Sequence, residues 1–246
     1  MSINVVIPMA GAGSRFAKQG YLKPKPFIDV MGKPMIVRVM ENLAFKNAKF
    51  ILIARKDHLD QEIAIIEEIK EKFNVVFIPI DKLTEGAACT ILFARKYINN
   101  DTPLLLANSD QIVQFDLEKY LSENDEKEAD GSILTFIDKE KNPKWSFAKL
   151  NSEGYVSKVK EKEAISEYAT VGLYYFKRGL DYVNYAIDMI IENDRANNEF
   201  YTCPVYNYAI KDGKKIVVHN IDYANMHGIG TPEDLNIFLQ KNPLNY

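Results

Sequence analysis

Residues 3–16 read INVVIPMAGAGSRF: an apolar run ending in proline, then small residues, two glycines and a single arginine, Arg15. Beyond Asn4 the run has no polar position, as a strand covered on both faces requires. Gly11 and Gly13 carry no side chain, so the backbone can turn sharply there and a ligand can approach it closely. A glycine turn between a strand and a helix aims several backbone N–H groups at one point, which suits a phosphate. The stretch predicts the first strand–turn–helix unit of an α/β sheet, with something anionic on its turn.

The pattern repeats outward from that unit. MIVRVMENLAF (35–45), HLDQEIAIIEEIKEKF (58–73) and AACTILFARKYI (87–98) read as helices, and KFILIAR (49–55), VVFIPI (75–80) and PLLLANSD (103–110) as strands. Ile36, Val39, Met40 and Leu43 recur at helical spacing, as do Leu59, Ile63, Ile66 and Ile69, which gives each helix one apolar stripe to lay on a sheet. Uniformly apolar strands alternating with such helices predict a doubly wound, mainly parallel mixed sheet flanked by helices, a Rossmann-like α/β fold.

After Asp130 the rhythm changes. GSILTFID, SFAKLN, YVSKVKEK and TVGLYYFKRG are strand-like and separated by turns, and they precede helices expected over Leu180 to Glu192 and Glu199 to Lys211. That order suggests an antiparallel extension carrying a second substrate's pocket. KEKEAISE (160–167) reads as a solvated strand edge. Near the end, GIGTPEDL (228–235) predicts a helix start, with Thr231 as cap, Pro232 in the first turn and Glu233 and Asp234 facing the positive helix end. There is no internal repeat. Residues 1–246 are expected to form one domain, with a nucleotide-binding half over about 1–130 and an acceptor-binding half over about 131–246.

Bulk properties narrow the function. A length of 246 residues allows a sizeable core, and 47% apolar with 26% charged residues is ordinary for a globular protein. A formal net charge of −3, with scattered Lys and Arg, argues against a nucleic-acid partner. The N-terminal apolar run is too short for a signal peptide or a spanning helix, so no membrane partner is expected. Cys89 and Cys203 lie far apart without metal-ligand spacing, in keeping with a reduced, cytoplasmic setting.

Three devices compete for the glycine turn. A dinucleotide site wants a third glycine near Phe16 and an acidic end to the second strand, which instead ends in Arg55. A kinase-type P-loop wants Gly-Lys-Ser/Thr, which is absent. The third device joins the turn to KPKPF (23–27), so that backbone amides of Ala10 to Ser14, the Arg15 guanidinium and Lys25, stiffened between two prolines, hold a triphosphate. A pair of ordinary surface cations is the alternative.

PMAGAGSRF with KPKPFIDVMGKPMI resembles the signature of the sugar-nucleotidyltransferase family, and the likeness continues in order through TEGAA (84–88), LANSD (106–110), KEK (160–162), TVGLYYF (170–176) and GIGTPEDL. Within the family the chain resembles the cytidylyltransferases of capsule and surface-polysaccharide synthesis that act on phosphoglutamine. The resemblance implies that Arg15 and Lys25 are catalytic and that Met9, Ala10, Gly11, Ala12, Gly13, Ser14, Glu85, Gly86, Ala87, Asn108, Ser109 and Asp110 complete the nucleotide site. It further implies that Asp110 holds a divalent cation, Mg²⁺ with Mn²⁺ as a substitute, which agrees with a carboxylate at the carboxyl end of a strand. A cap for the element after it is the other reading of Asp110.

The implied partners are a nucleoside triphosphate, CTP favoured, and a phosphorylated small-molecule acceptor. A substrate phosphate, mostly dianionic near neutral pH because its second pKa is about 6, attacks the α-phosphorus and expels pyrophosphate. That reaction needs no general base, and the three histidines, His58, His219 and His227, sit in no nucleophile-and-base motif.

Two departures from the family pattern stand out. Many relatives place a second metal-binding Asp before the final turn as D-x-G-T, where this chain has Gly228 after His227; Asp234 is one possible substitute. Hexose-phosphate enzymes often have an aromatic followed by glycine where this chain reads WSFAK (145–149). Trp145 is either core or acceptor wall. With Trp145, the residues expected to line the acceptor pocket are Lys160, Glu161, Gly172, Tyr174, Asn198 and Glu199; of the consecutive Tyr174 and Tyr175, only one should point inward. The absence of a hexapeptide-repeat extension predicts a monofunctional transferase. A sugar-1-phosphate nucleotidyltransferase, a metal-dependent glycosyltransferase and a non-catalytic nucleotide-binding regulator stay open as alternatives, as does the oligomeric state.

Overall fold

In the computed structural model, which describes residues 2–242, β1 (Ile3–Pro8) leads through the glycine turn into α1 (Ser14–Lys18). A 3₁₀ turn at Lys25–Phe27, the small hairpin β2 (Asp29–Val30) and β3 (Lys33–Pro34), and α2 (Met35–Asn42) follow. Then come β4 (Ala48–Arg55), α3 (Lys56–Gln61), α4 (Ile63–Lys72), β5 (Val75–Ile80), α5 (Ala87–Ile91), α6 (Arg95–Ile98) and β6 (Leu104–Ala107). β7 (Gln111–Val113) and α7 (Leu117–Glu126) precede the strand-rich part: β8 (Gly131–Ile137), β9 (Ser146–Leu150), β10 (Val156–Glu161) and β11 (Tyr168–Phe176). The chain closes with α8 (Gly179–Ile191), α9 (Val205–Lys211), β12 (Ile216–Ile221), β13 (Met226–Gly228) and α10 (Pro232–Lys241).

Nine strands form one mixed sheet in the order β10-β9-β11-β6-β1-β4-β5, with β8 beside β11 and β12 beside β8. β6, β1, β4 and β5 are parallel, and β11 joins β6 antiparallel. This is the doubly wound sheet with an antiparallel extension that the sequence predicts. Side chains of β1 alternate between two cores: Ile3, Val5 and Ile7 on one face, Val6 on the other. The same holds for Leu105 against Leu104 and Leu106, which explains why these strands have no polar face. Enclosing each large apolar side chain contributes roughly 1.5–3 kcal/mol, so the two covered faces are the main source of stability. Among the described residues no helix is long and apolar enough to cross a membrane.

Some local expectations change. Glu62, at φ −120° and ψ 38°, breaks the stretch 58–73 into α3 and α4, and the change of phase leaves Ile63 61% exposed while Ile66 and Ile69 remain in the core. Residues 199–204 are not helical, and α9 begins only after Pro204. Phe200 spends its backbone groups elsewhere: its N–H donates to Glu85 O (2.8 Å) and its carbonyl accepts from Ala88 N–H (3.0 Å). Asp110 caps no helix, because a strand, β7, follows it. Tyr174 and Tyr175 alternate as expected, yet both are buried, since both sheet faces are covered. Cys203 is buried and Cys89 half-buried, both as free thiols, and burial raises the pKa of each.

A third apolar cluster holds the loops at one end of the sheet. Phe16 of α1, Ile28 and Val30 beyond the 3₁₀ turn, Met35 of α2, and Ile229, Leu235 and Phe238 near the C-terminal end pack together. The cluster pins the glycine turn, the Lys25 loop and the approach to α10 against one another. α10 starts as the sequence predicts, with Thr231 Oγ1 accepting from Asp234 N–H at 3.1 Å.

Candidate active site

The glycine turn leaves β1 at the carboxyl edge of the parallel strands, where open α/β sheets bind ligands. Gly13 occupies the left-handed region at φ 61° ahead of α1, and a Cβ there would approach Lys25 Cβ to 3.2 Å. The turn and the Lys25 loop therefore touch. Lys25 itself is held by backbone: Phe27 N–H donates to Pro24 O (2.9 Å) and Ile28 N–H to Lys25 O (3.2 Å), with Phe27 buried in the core beneath.

Both segments line one cavity of about 620 Å³. Its wall includes Met9, Ala10, Gly11, Ala12, Gly13, Ser14, Arg15, Lys25, Gly86, Ala87, Asn108, Ser109, Asp110 and Glu199. Arg15 is exposed at this wall. Lys25 Nζ donates to Asp110 Oδ2, and both side chains are partly shielded, at 21% and 24% exposure. Segments of the chain 85 residues apart thus meet in an ion pair.

Asp110 is placed from two directions. Ile229 N–H donates to Asp110 O (2.9 Å), and a Cβ on Gly230 would lie 2.4 Å from Asp110 Oδ2. Glycine at 230 leaves room for the carboxylate. Asp110, with Asn108 and Ser109 on the same cavity wall and open volume for water and phosphate, fits a hard divalent cation such as Mg²⁺, which usually keeps several waters. Among the described residues no group of three or more His, Cys, Asp or Glu could hold a metal, and Glu199 is the other acidic residue that lines the cavity. Gly228 sits across from Gln111 in the β13–β7 pair, and Asp234 is engaged with Thr231 in the α10 cap.

The TEGAA turn is fixed by the Phe200 backbone. Gly86 has φ 132°, and a Cβ there would fall 2.4 to 2.8 Å from the backbone of Phe200. Glu85 does not line the cavity; its carboxylate pairs with Arg195 at 2.5 Å, and that guanidinium also lies over the Phe200 ring. Thr84 and Thr90, not anticipated from sequence, join hydroxyls at 2.6 Å and line the cavity, as do Leu83, Pro26 and Gly230. Their spacing within TEGAACT was the available signal for the two threonines. Nothing local marked Arg195.

The expected acceptor residues are spread more widely. Glu161 sits opposite Ser146 in the β10–β9 pair, and Ser146 Oγ donates to Glu161 Oε2. Burial pushes the Glu161 carboxyl up, nearby Glu199 adds to the rise, and Ser146 and Lys162 oppose it. Lys162, also missed, donates to the Tyr201 hydroxyl at 2.8 Å. Gly172 has φ 80°, where β11 changes register, and a Cβ there would strike Asn108 Nδ2 at 2.2 Å, so β11 bears directly on the LANSD turn. Asn198 is exposed, and its carbonyl accepts from Arg195 at 3.2 Å. Lys160 pairs with Glu163 at 3.5 Å, Trp145 packs edge-on to Phe136 at 5.3 Å, and the Tyr174 hydroxyl meets Thr170 Oγ1 at 3.2 Å. These three are engaged within the fold, and of the seven residues expected to line the acceptor pocket Glu199 alone lines this cavity.

The raised Glu161 pKa has a consequence for stability. Above the ordinary value of 4.5 the unfolded chain releases this proton first, so stability contributed by the protonated folded form is lost as pH climbs through the raised value. Glu161→Gln should therefore gain in melting temperature relative to the wild type between pH 4 and neutrality, and a pH-independent difference in thermal denaturation would refute the burial argument.

Known proteins resemble this chain to different extents. A mannose-1-phosphate guanyltransferase of Aspergillus fumigatus is 27% identical over 135 residues, covering 54% of this chain and 37% of the relative. The first curated relatives it matches are longer proteins, of which the matched region makes up about a third to a half. A UTP–glucose-1-phosphate uridylyltransferase of Haloferax volcanii is 25% identical over 94% of this chain and 93% of its own length. Among solved structures, a nucleoside-diphosphate-sugar pyrophosphorylase from Vibrio cholerae superposes with a TM-score of 0.81 at 25% identity, over 96% of this chain and 99% of that one. The sequence profile of the nucleotidyl transferases matches residues 4–235, and with strands, turns and cavity in the same frame the chain belongs to the nucleotidyl transferase family.

Proposed function

We propose that this chain transfers a nucleotidyl group from a nucleoside triphosphate to a phosphorylated small-molecule acceptor and releases pyrophosphate. The observation that carries the reading is the convergence of the glycine turn, Arg15, Lys25 and Asp110 on one cavity at the carboxyl edge of the parallel strands. Residues of about 1–130 hold the nucleotide, and Glu199, with Glu161 near it, faces the acceptor from the other half.

Backbone amides of Ala10 to Ser14 and the Arg15 fork bind the phosphates, and Lys25 supplies a compact charge. Asp110 would hold Mg²⁺, which when bound would neutralise charge on the phosphates. The chain's own residues orient the acceptor phosphate in line with the α-phosphorus and stabilise charge that develops on the leaving pyrophosphate. No side chain has to take a proton, because the attacking phosphate is already largely ionised near neutral pH, its second pKa being about 6.

CTP as donor and phosphoglutamine as acceptor, in surface-polysaccharide synthesis within the cytoplasm, follow the sequence resemblance. The names of the relatives support a sugar 1-phosphate as the second acceptor class. A pyrophosphate-release assay of the four common nucleoside triphosphates against phosphoglutamine, glucose 1-phosphate, mannose 1-phosphate and inositol 1-phosphate separates them. Release is expected with CTP and phosphoglutamine. Release with another pair would reassign the substrates, and none from any pair would overturn nucleotidyl transfer in favour of a glycosyltransferase or a nucleotide-binding regulator.

A further inference from the structure

We propose that Lys25 and a divalent cation occupy Asp110 in alternation, so that the lysine is released to the triphosphate only when metal takes its place on the carboxylate. The inference rests on the nucleotidyl-transfer reading and deepens it: the residue that neutralises the phosphates is held off them until metal and nucleotide arrive together.

Four features carry it. The ammonium of Lys25 bonds Asp110 Oδ2, so the side chain is committed to the carboxylate. Gly230 backs that same oxygen: glycine leaves room for the carboxylate, but a methyl group there would lie 2.4 Å from Oδ2, so this side of the oxygen has space for little else. Two cations a few ångströms apart on one carboxylate repel each other, which opposes simultaneous occupancy. Among the described residues Asp110 is in no group of three or more metal-binding side chains, so a metal on it gains most of its ligands from phosphates and water.

The move required of Lys25 is small. Its backbone is fixed by the 3₁₀ turn and flanking prolines, and its stem lies against Gly13 of the phosphate-facing turn. Rotation about the flexible four-carbon stem carries the ammonium from carboxylate to cavity with no change in the main chain. Lys25 and Asp110 line the same cavity, so both end points are accessible.

A double-mutant cycle tests this by calorimetry, with CTP and inorganic tripolyphosphate as ligands, in EDTA and in Mg²⁺. In EDTA, Asp110→Asn is expected to bind both ligands about tenfold more tightly than wild type, because Lys25 is set free and charge repulsion is removed. In the Lys25→Ala background the same change should gain threefold or less, on the order of repulsion alone between partly exposed charges. With Mg²⁺ the order reverses and wild type binds CTP more tightly than Asp110→Asn. An equal gain in both backgrounds, or no gain in either, overturns the alternation. If wild type binds Mg²⁺ and CTP but the cycle is additive, only the alternation fails; if wild type binds no nucleoside triphosphate under any condition, the nucleotidyl-transfer reading fails with it.

Discussion

Lys25→Ala lowers kcat about 100-fold or more, the scale of removing one well-placed electrostatic donor from a transition state. The fold should survive the change. The Lys25–Asp110 pair is partly open to water, and pairs of that kind contribute about 0–1 kcal/mol. The turn that presents Lys25 is held by backbone hydrogen bonds and by buried Phe27, neither of which depends on the ammonium. Steady-state pyrophosphate release together with a melting curve makes the measurement. Turnover near normal in a folded variant would remove Lys25 from the mechanism. Lys25→Arg should not restore the rate, since a planar fork on a different stem does not reproduce a compact charge.

Gly86→Ala is the second large effect, and it acts through the fold. At φ 132° the backbone already disfavours any side chain, and the new methyl would sit 2.4 Å from Phe200 O and 2.6 Å from Phe200 N. These are backbone atoms and cannot swing aside. The turn must separate from residues 199–200 and lose the two hydrogen bonds between Phe200 and the Glu85 and Ala88 backbone. Strain plus those bonds comes to roughly 2–4 kcal/mol, read by urea denaturation. The nucleotide KM rises as well, because Gly86 and Ala87 line the cavity. Gly11→Ala is the control: a Cβ there meets nothing within 4 Å, so stability should stay at the wild-type value. Equal stability of Gly86→Ala and the wild type would show that the turn does not depend on its contact with Phe200.

The glycine turn and the Lys25 loop were legible because their instructions are local. Gly13 carries the positive φ that the turn requires, and Lys25 lies between prolines that fix its loop whatever surrounds them. The acceptor side was less so. Glu199 does line the cavity, but the helix expected to begin there does not form, because Phe200 pairs with a turn more than a hundred residues earlier. Glu85 was placed beside the nucleotide from its neighbours in TEGAA, yet Arg195 draws its carboxylate out of the cavity wall.

By itself the sequence determined that this chain is an α/β sheet with a phosphate-suited turn at its first strand: apolar periodicity and glycine geometry are properties of neighbouring residues. Only the tertiary structure decided that Lys25 meets Asp110, that Gly230 makes room for that carboxylate, and that Gly86 must accept the Phe200 backbone. Those relations join residues distant in the chain, and packing of the two sheet faces and of the Phe16–Phe238 cluster brings them within contact distance.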